Sequence, residues 1–324
     1  MRKQPFSLSC SIMRFVCIVL GIILAVMLGI TVYFQSILDR IDFPQMSGTQ
    51  FSNVLSQGKD TLASLLSRDE EDPILNILLI GQDRREEDTM TRSDSMILCT
   101  FNTQTEQITM TSFLRDLYLP IPGHSENRLN AAYAYGGMEL LKQTLEENFG
   151  ITIHGTVEVD FTQFAQVIDL LGGVSLELRQ DEADAINRAV PGELTAGTQW
   201  LTGSQALAYA RIRNLDSDGD FSRTNRQRKV ITALVRSYKD TSIPNILTML
   251  DKAMPMLSTD LSRRQLLRYA VQLFPLLSGG DITSQRIPAD GTYEDRTVDG
   301  MAVLVADLDA ARELLRKSLA ENVS

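Results

Sequence analysis

Residues 15–34 form a 20-residue run without a charged side chain, close to the start of this 324-residue chain. A helix of about 20 apolar residues is long enough to cross a bilayer. Arg2, Lys3 and Arg14 precede the run, and a basic flank is typical of the cytoplasmic side of a membrane segment. We predict a signal anchor rather than a cleavable signal peptide, because the run is longer than the apolar part of such a peptide.

This anchor divides the chain into four predicted segments. They are a cytoplasmic stub at 1–14, the transmembrane helix at 15–34, a stalk at 35–72 and an extracytoplasmic domain at 73–324. The stub is too short for a DNA-binding domain, and a net charge of −10 disfavours a general nucleic-acid surface. We therefore expect a single-pass protein of the cell membrane with no nucleic-acid partner.

Cysteine and histidine usage limits the chemistry of the outer domain. Cys10 and Cys17 lie in or beside the membrane segment, so Cys99 is the one cysteine of the predicted domain. A disulfide within the domain is excluded, and with only His124 and His154 a zinc site or a Cys/His nucleophile pair is disfavoured. Cys99 lies in an apolar run and is predicted to be a core residue. Any metal should be a hard cation held by carboxylates.

Apolar runs separated by turn residues predict a mixed α/β domain. Gly172 and Gly173 should end one helix, and Thr202 with Gln205 has the spacing of a capping box at the start of another. We predict one mixed sheet covered by helices on both faces. Strands are predicted at 74–80, 96–101, 107–112, 156–160, 174–178, 282–287 and 301–305, and helices at 136–148, 161–171, 204–212, 224–238, 244–256, 262–276 and 307–319.

Five arginines and a glutamine lie between residues 209 and 228 of this acidic chain. Arg223 and Gln227 share the core-facing stripe of a predicted helix, where a charge is costly unless it is paired or solvated. Arg223 also lies near the helix N-terminus, where an anion is favoured and a cation is not. The cluster therefore indicates a site for one polyanionic ligand. A purely structural ion pair of Arg223 with Asp220 or Asp216 is an equally good interpretation of the helix alone.

Charged side chains also flank the ends of the first three predicted strands. Asp83 follows the first strand, Asp94 precedes the second and Arg115 follows the third. If the first two strands are antiparallel neighbours, the two aspartates face each other at a strand end, where α/β proteins bind ligands. Such carboxylates bind Mg²⁺ or share acid–base work. Aspartate is also common in turns and caps, and spacing alone favours that interpretation.

Six motifs and a C-terminal segment resemble, in order and spacing, the LytR-CpsA-Psr family. The resemblance covers roughly residues 74–236, and the segment DGMAVLVAD at 299–307 extends it. The six motifs are NILLIGQDRR at 76–85, TRSDSM at 91–96, SFLRD at 112–116, LTGSQAL at 201–207, YARIR at 209–213 and DFSRTNRQ at 220–227.

The resemblance implies an extracytoplasmic phosphotransferase of bacterial cell-wall assembly. Such enzymes move an anionic glycopolymer from a polyprenyl-pyrophosphate carrier onto peptidoglycan, with Mg²⁺ as the cofactor. By resemblance Asp83 and Asp94 serve the metal, and Asp220 lies at the pyrophosphate-binding site. The implied catalytic residues are Asp83, Asp94, Asp220 and Arg115, and the implied pyrophosphate-binding residues are Arg85, Arg115, Arg211, Arg213, Arg223 and Gln227.

A polyprenyl tail would need an apolar cleft. One helix stripe offers candidates, although such a stripe is more often ordinary core. A non-catalytic module that binds polyprenyl phosphate and a hydrolase that cleaves the pyrophosphate with water are the alternative functions. A transcriptional regulator is disfavoured by the predicted topology. The cleft candidates are Phe161, Phe164, Val167, Ile168 and Leu171.

Overall fold

A computed structural model of the chain describes most of the predicted outer domain. The predicted stub, transmembrane helix and stalk lie outside the described residues, and so do Cys10, Cys17, Asp83 and Arg85. Within the described part, none of the helices combines the length and apolar character needed to cross a membrane. The described residues are 73–82, 93–216, 219–238, 241 and 243–320.

Strands and helices are mixed along these residues. The strands are β1 (Ile74–Gln82), β2 (Ser93–Asn102), β3 (Gln107–Phe113), β4 (Tyr118–Leu119), β5 (Asn127–Arg128), β6 (Gly155–Asp160), β7 (Val174–Leu178), β8 (Gly197–Leu201), β9 (Ser258–Thr259), β10 (Asp281–Ile287), β11 (Tyr293–Val298) and β12 (Met301–Ala306). The helices are α1 (Leu129–Phe149), α2 (Phe161–Leu170), α3 (Gln180–Ala189), α4 (Gly203–Ala210), α5 (Asp220–Ser237), α6 (Ile243–Ala253), α7 (Arg263–Gly279) and α8 (Leu308–Ala320), and a short 3-10 helix spans Met254–Met256.

A six-stranded mixed sheet organises the domain, with strand order β10-β3-β2-β1-β6-β9. β2 is antiparallel to both β1 and β3, whereas β1 runs parallel to β6 and β3 runs parallel to β10. The first two strands are therefore antiparallel neighbours, which was the condition set in the sequence analysis. Its register pairs Gln82 with Ser93, so Asp94 lies at the sheet edge where β1 ends.

Alternate side chains of the sheet strands lie on opposite faces of the sheet and belong to different hydrophobic clusters. Leu78 and Ile80 of β1 pack with α1 and α8 on one face. Ile97 and Cys99 of β2 pack against Ile231 of α5 on the other face, where α7 contributes a further cluster. Burial raises the pKa of the Cys99 thiol to about 12. The predicted core role of Cys99 is confirmed.

A second hydrophobic cluster lies beyond α5. It joins the antiparallel pair of strands β7 and β8 to helices α2 to α5, with Tyr209 and Val230 fully buried within it. Since Val230 belongs to this cluster while Ile231 contacts the sheet, α5 forms a wall shared by both. Gly172 and Gly173 have φ of 87° and 95° and follow α2, which confirms the predicted helix end.

Some elements differ from the sequence prediction. The helix predicted at 136–148 begins earlier, at Leu129, and contains a break at Gly136 and Gly137, whose φ values are −148° and 63°. Glycine reaches such angles without a steric penalty, and the prediction captured only the part after the break. The sequence also gave no sign of α3, β8 or β11. α3 and β11 are rich in charged residues, and Ile186 is the one large apolar residue of α3, so neither shows the strong apolar run that marks the other elements.

Candidate active site

Arg115 lies directly after β3 and faces three carboxylates. One of its terminal nitrogens donates to Asp94 Oδ1 at 2.9 Å, and its Nε lies 3.6 Å from both Asp220 Oδ2 and Asp116 Oδ2. Asp116 is also bound to Arg128 at 2.9 Å. Burial lowers the pKa of the Arg115 guanidinium, but the charges of these carboxylates outweigh burial, and the net pKa shift is upward. Arg115 is therefore a fixed cation at the end of the sheet.

Asp220, the first residue of α5, is shared by three arginines. Arg223 donates to Asp220 Oδ2 at 2.8 Å and to the backbone oxygen of Asp94 at 3.1 Å. Arg213 Nε lies 3.8 Å from Asp220 Oδ1, and Arg115 is the third arginine. We refer to Arg115, Arg213 and Arg223, together with Asp94 and Asp220, as the arginine cluster. When Asp116 and its second partner Arg128 are counted as well, four guanidinium groups share three carboxylates, which leaves a net positive charge.

Arg223 is the most buried cation of the arginine cluster. Its side chain is 3% exposed, and its Nε has no hydrogen-bond partner. Burial is the main cause that lowers the pKa of Arg223, and the like charges of Arg213 and Arg115 lower this pKa further against the opposing effect of Asp220. An added anion would relieve this unfavourable electrostatic environment.

The structural interpretation of Arg223 predicts an ion pair with Asp220 or Asp216. The pair with Asp220 is present, whereas Asp216 is bound to Arg226 instead. Because Asp220 also serves Arg115 and Arg213, its presence does not balance the charge of Arg223. The ion pair is thus compatible with both interpretations, and the excess of positive charge favours a ligand site.

An apolar cavity of about 190 Å³ lies between β1, β2, β6 and helices α2, α4 and α5. Phe161, Phe164 and Ile231 line it with hydrocarbon, and Arg211 and Gln227 are among its few polar lining residues. The Arg211 guanidinium lies 4.7 Å from the centre of the Phe161 ring, a cation–π contact. Gln227 follows Arg223 by one turn of α5, a rise of about 6 Å, so the apolar cavity adjoins the arginine cluster.

Two of the five predicted cleft residues line the apolar cavity. Phe161 and Phe164 do so, whereas Ile168 is fully buried in the second hydrophobic cluster. Val167 and Leu171 are not among the lining residues. The other walls come from strands and from α4 and α5, and sequence analysis missed them because an apolar strand residue has the same signature in a core and in a cavity wall.

Arg226 belongs to the sequence cluster but has a separate environment. Its Nε donates to Glu182 Oε1 at 2.9 Å, and a terminal nitrogen donates to Asp216. The side chains of Arg226 and Glu182 are each 3% exposed, so their ion pair lies inside the fold. Glu182 comes from α3, the helix that the sequence did not reveal. Arg226 therefore links α5 to α3 and does not belong to the arginine cluster.

A buried polar network supports the end of β1. Glu158 of β6 accepts hydrogen bonds from Gln82 Nε2 at 2.5 Å and from the Tyr133 hydroxyl at 2.7 Å. Tyr133 comes from α1, and its hydroxyl also lies 3.2 Å from Gln82 Oε1. The network therefore fixes the position of Gln82, which immediately precedes the predicted metal ligand Asp83 in the sequence. Polar residues inside otherwise apolar strands are the sequence signal that was missed.

The described residues near Asp94 provide only part of the oxygen ligands that a hard cation would need. Asp94 Oδ1 accepts from Arg115, and carboxylate oxygens are ligands that Mg²⁺ prefers. The second predicted ligand, Asp83, lies outside the described residues. Within the described ranges, no group of three or more His, Cys, Asp and Glu side chains could hold a metal ion. A site here would need Asp83 and substrate phosphate oxygens, a combination that is typical of Mg²⁺.

A cationic cluster beside an apolar cavity, at the end of a mixed sheet, defines a protein that binds an amphiphilic anion. A model of the LytR_cpsA_psr family matches residues 45–318 of the chain. The chain belongs to this family.

Relatives and solved structures agree with this assignment. The Bacillus subtilis polyisoprenyl-teichoic acid–peptidoglycan teichoic acid transferase TagT is 34% identical over 232 residues, which cover 69% of this chain and 70% of TagT. The structure of TagT bound to LIIa-WTA has a TM-score of 0.64 at 30% identity, covering 78% of this chain and 94% of that one. The LytR-CPS2A-psr family protein YwtF (TagT) with bound octaprenyl pyrophosphate lipid has a TM-score of 0.58 at 28% identity, with coverage of 78% and 94%.

Proposed function

We propose that the protein is a phosphotransferase that moves an anionic glycopolymer from a polyprenyl-pyrophosphate carrier onto peptidoglycan. This proposal rests on the position of the apolar cavity beside the arginine cluster, because a lipid pyrophosphate has one anionic and one hydrocarbon part. The relatives support it, since TagT is named a teichoic acid transferase and a related structure contains octaprenyl pyrophosphate.

Each part of the site has a role in holding the carrier. Arg115, Arg213 and Arg223 bind the phosphate oxygens, because guanidinium groups form paired hydrogen bonds with phosphate. Asp220 keeps the three guanidinium groups in place between turnovers. Arg211 and Gln227 mark the passage from the pyrophosphate to the apolar cavity, which takes the start of the polyprenyl chain.

The transfer exchanges one phosphorus–oxygen bond for another. A peptidoglycan hydroxyl oxygen attacks the phosphorus nearer the polymer, the anhydride bond breaks, and polyprenyl monophosphate leaves with the bonding electron pair. The hydroxyl proton passes to a carboxylate, for which Asp83, Asp94 and Asp220 are the candidates. The arginines stabilise the charge that develops on the phosphate oxygens. Mg²⁺ held by Asp83 and Asp94 would supply further charge neutralisation to the leaving phosphate.

A transfer assay with the full chain, lipid-linked polymer, peptidoglycan and Mg²⁺ tests this proposal. Polymer should become covalently attached to peptidoglycan, and Arg115→Gln should slow transfer by about 100-fold, as expected when one donor to a developing oxyanion is lost. Arg236→Gln, an exposed change near the end of α5, is the charge-matched control and should retain full activity.

The alternatives give different results in the same assay. Release of polyprenyl phosphate without attachment to peptidoglycan would identify a hydrolase, and binding without release would identify a non-catalytic module. Activity should be lost in chelator and restored by Mg²⁺. A full rate in chelator would refute the metal role while leaving the transfer itself intact.

We further infer that residues 15–34 anchor the chain in the cell membrane, with the N-terminus in the cytoplasm and the catalytic domain outside. The basic residues before this segment and its lack of charge support the orientation. An alkaline phosphatase fused after Leu75 should be active, and a reporter that works only in the cytoplasm should be silent at the same position. The reverse pattern would contradict the location and the access to a wall acceptor.

A further inference from the structure

Arg228 of α5 is a buried cation that lacks a counter-charge. The residue is 6% exposed, and its one hydrogen-bond partner in the described part of the chain is the hydroxyl of Ser112 on β3, at 2.6 Å. Its Nε has no hydrogen-bond partner. Among the described residues, no carboxylate lies within ion-pair distance of Arg228, in contrast to Arg223 and Arg226. A buried charge without a partner is costly, so the fold keeps Arg228 at the expense of stability.

A second arginine lies beside Arg228. Arg286 of β10 is the register partner of Ser112, the residue that Arg228 contacts. Burial, followed by the like charge of Arg286, lowers the pKa of Arg228 to about 10. The Nε of Arg286 is also buried without a partner. The carboxylate paired with Arg286 is Asp290, which is 84% exposed and can therefore turn away into solvent.

This pair lies next to the arginine cluster. The Arg286 guanidinium is 4.3 Å from the centre of the Phe221 ring, and Phe221 directly follows Asp220 on α5. A ligand bound to Arg223 and its neighbours would therefore lie roughly one side chain away from Arg286. An anionic polymer attached to the bound pyrophosphate carries further negative groups that could reach this distance.

We propose that Arg228, Arg286 and Ser112 form a second oxyanion site, which holds a phosphoryl group of the glycopolymer apart from the reacting pyrophosphate. The proposal rests on the proposed function, since it assigns the site to the same substrate. Two guanidinium groups and a hydroxyl offer a phosphate only hydrogen-bond donors, and its charge supplies the counter-ion that Arg228 lacks. Free inorganic phosphate has the same chemistry, so the experiment compares the two sources.

The test measures the affinity of the full chain and of Arg228→Met for two ligands. One is a polyprenyl pyrophosphate, and the other is the same lipid carrying a glycopolymer fragment with at least one additional phosphate. Arg228→Met should bind the fragment about 10-fold more weakly and the plain lipid pyrophosphate with unchanged affinity. Arg223→Gln should weaken both ligands, and Arg236→Met, which removes the same charge from an exposed position of α5, should weaken neither.

Several outcomes would overturn the second site. Equal affinity of Arg228→Met and the unchanged chain for the fragment would do so, and so would an equal loss for both ligands. Protection against thermal unfolding by inorganic phosphate, lost in Arg228→Met while fragment binding is unaffected, would assign the site to free phosphate and refute the polymer assignment. If the unchanged chain binds neither lipid, the proposed function itself fails.

A second variant keeps the test decisive if Arg228→Met does not fold. Arg286→Gln changes a less buried side chain of the same site and should give the same selective loss for the phosphate-bearing fragment. A folded Arg286→Gln that binds the fragment with full affinity would leave Arg228 as a structural residue and overturn the proposal.

Discussion

Arg223 and Arg226 lie three residues apart on α5, and both side chains are 3% exposed, yet their surroundings differ. Arg226 has Glu182 and Asp216 as partners, whereas Arg223 shares Asp220 with two other arginines. Equal burial thus accompanies different charges: around Arg226 and its neighbour Arg179 the carboxylates outnumber the arginines, whereas around Arg223 the arginines are in excess. The comparison indicates that the balance of charge, rather than burial, separates the proposed ligand site from an internal ion pair.

The two regions also differ in the direction of their pKa shifts. A hydrogen bond from Arg226 is the main cause that lowers the pKa of Asp216, so the charged form of Asp216 is favoured. Burial and neighbouring arginines lower the pKa of Arg223, so its charged form is disfavoured. We therefore expect mutations around Arg226 to affect folding and mutations around Arg223 to affect ligand binding.

The largest expected effect is on the internal pair. Arg226→Met should lower the free energy of unfolding by about 3 kcal/mol, because it leaves the buried Glu182 carboxylate with only the half-exposed Arg179, 3.8 Å away, as a cationic partner. Urea denaturation followed by circular dichroism measures this change. The double variant Arg226→Met with Glu182→Met should recover much of the loss, since both charges are then removed. A loss of unfolding free energy below about 1 kcal/mol for Arg226→Met alone would contradict the proposed difference between the two regions.

An intermediate effect is expected from pH. The pKa of Asp216 is lowered from its ordinary value of 3.8, so its ion pair stabilises the fold fully above that value and is lost as the pH falls through the lower, folded-state pKa. Asp216→Asn should lower the unfolding free energy at pH 7 by about 1 kcal/mol, as for a partly exposed pair. The difference between the variant and the unchanged chain should shrink below pH 4. A difference that does not shrink at all as the pH falls below 3.8 would contradict this role.

The smallest expected change in stability is at the arginine cluster. Arg223→Gln should alter the free energy of unfolding by less than about 1 kcal/mol in the absence of ligand, because the lost pair with Asp220 is offset by relief of burial and of repulsion from Arg115 and Arg213. Thermal and urea denaturation measure it beside Arg226→Met. A loss as large as that of Arg226→Met would make Arg223 a structural residue.

Much of the sheet could be predicted from the sequence because its strands are long apolar runs. The capping box of Thr202 and Gln205 was also predictable, since it depends on residues three positions apart. The strand β11 and the helix α3 were not predicted, because both are rich in charged residues and contain few large apolar side chains.

The site was predictable to the extent that its residues are close in sequence. The shared stripe of Arg223 and Gln227 follows from helix periodicity, and the antiparallel order of β1 and β2 places Asp94 as expected. The separate role of Arg226 depends on Glu182, which is 44 positions away in the chain. A cluster of arginines in the sequence therefore identifies the region of the proposed site. It does not separate the arginines proposed to bind ligand from those that form ion pairs within the fold.

The most direct test of the account is the affinity of the purified full chain for a short polyprenyl pyrophosphate, measured by isothermal titration calorimetry. Arg223→Gln should weaken binding by about 2 kcal/mol, or roughly 30-fold, as expected for loss of a charge-assisted hydrogen bond, while its fold remains intact. The lipid monophosphate should bind the unchanged chain more weakly than the pyrophosphate. Equal affinity of Arg223→Gln and the unchanged chain for the pyrophosphate would contradict the claim that the arginine cluster is the ligand site.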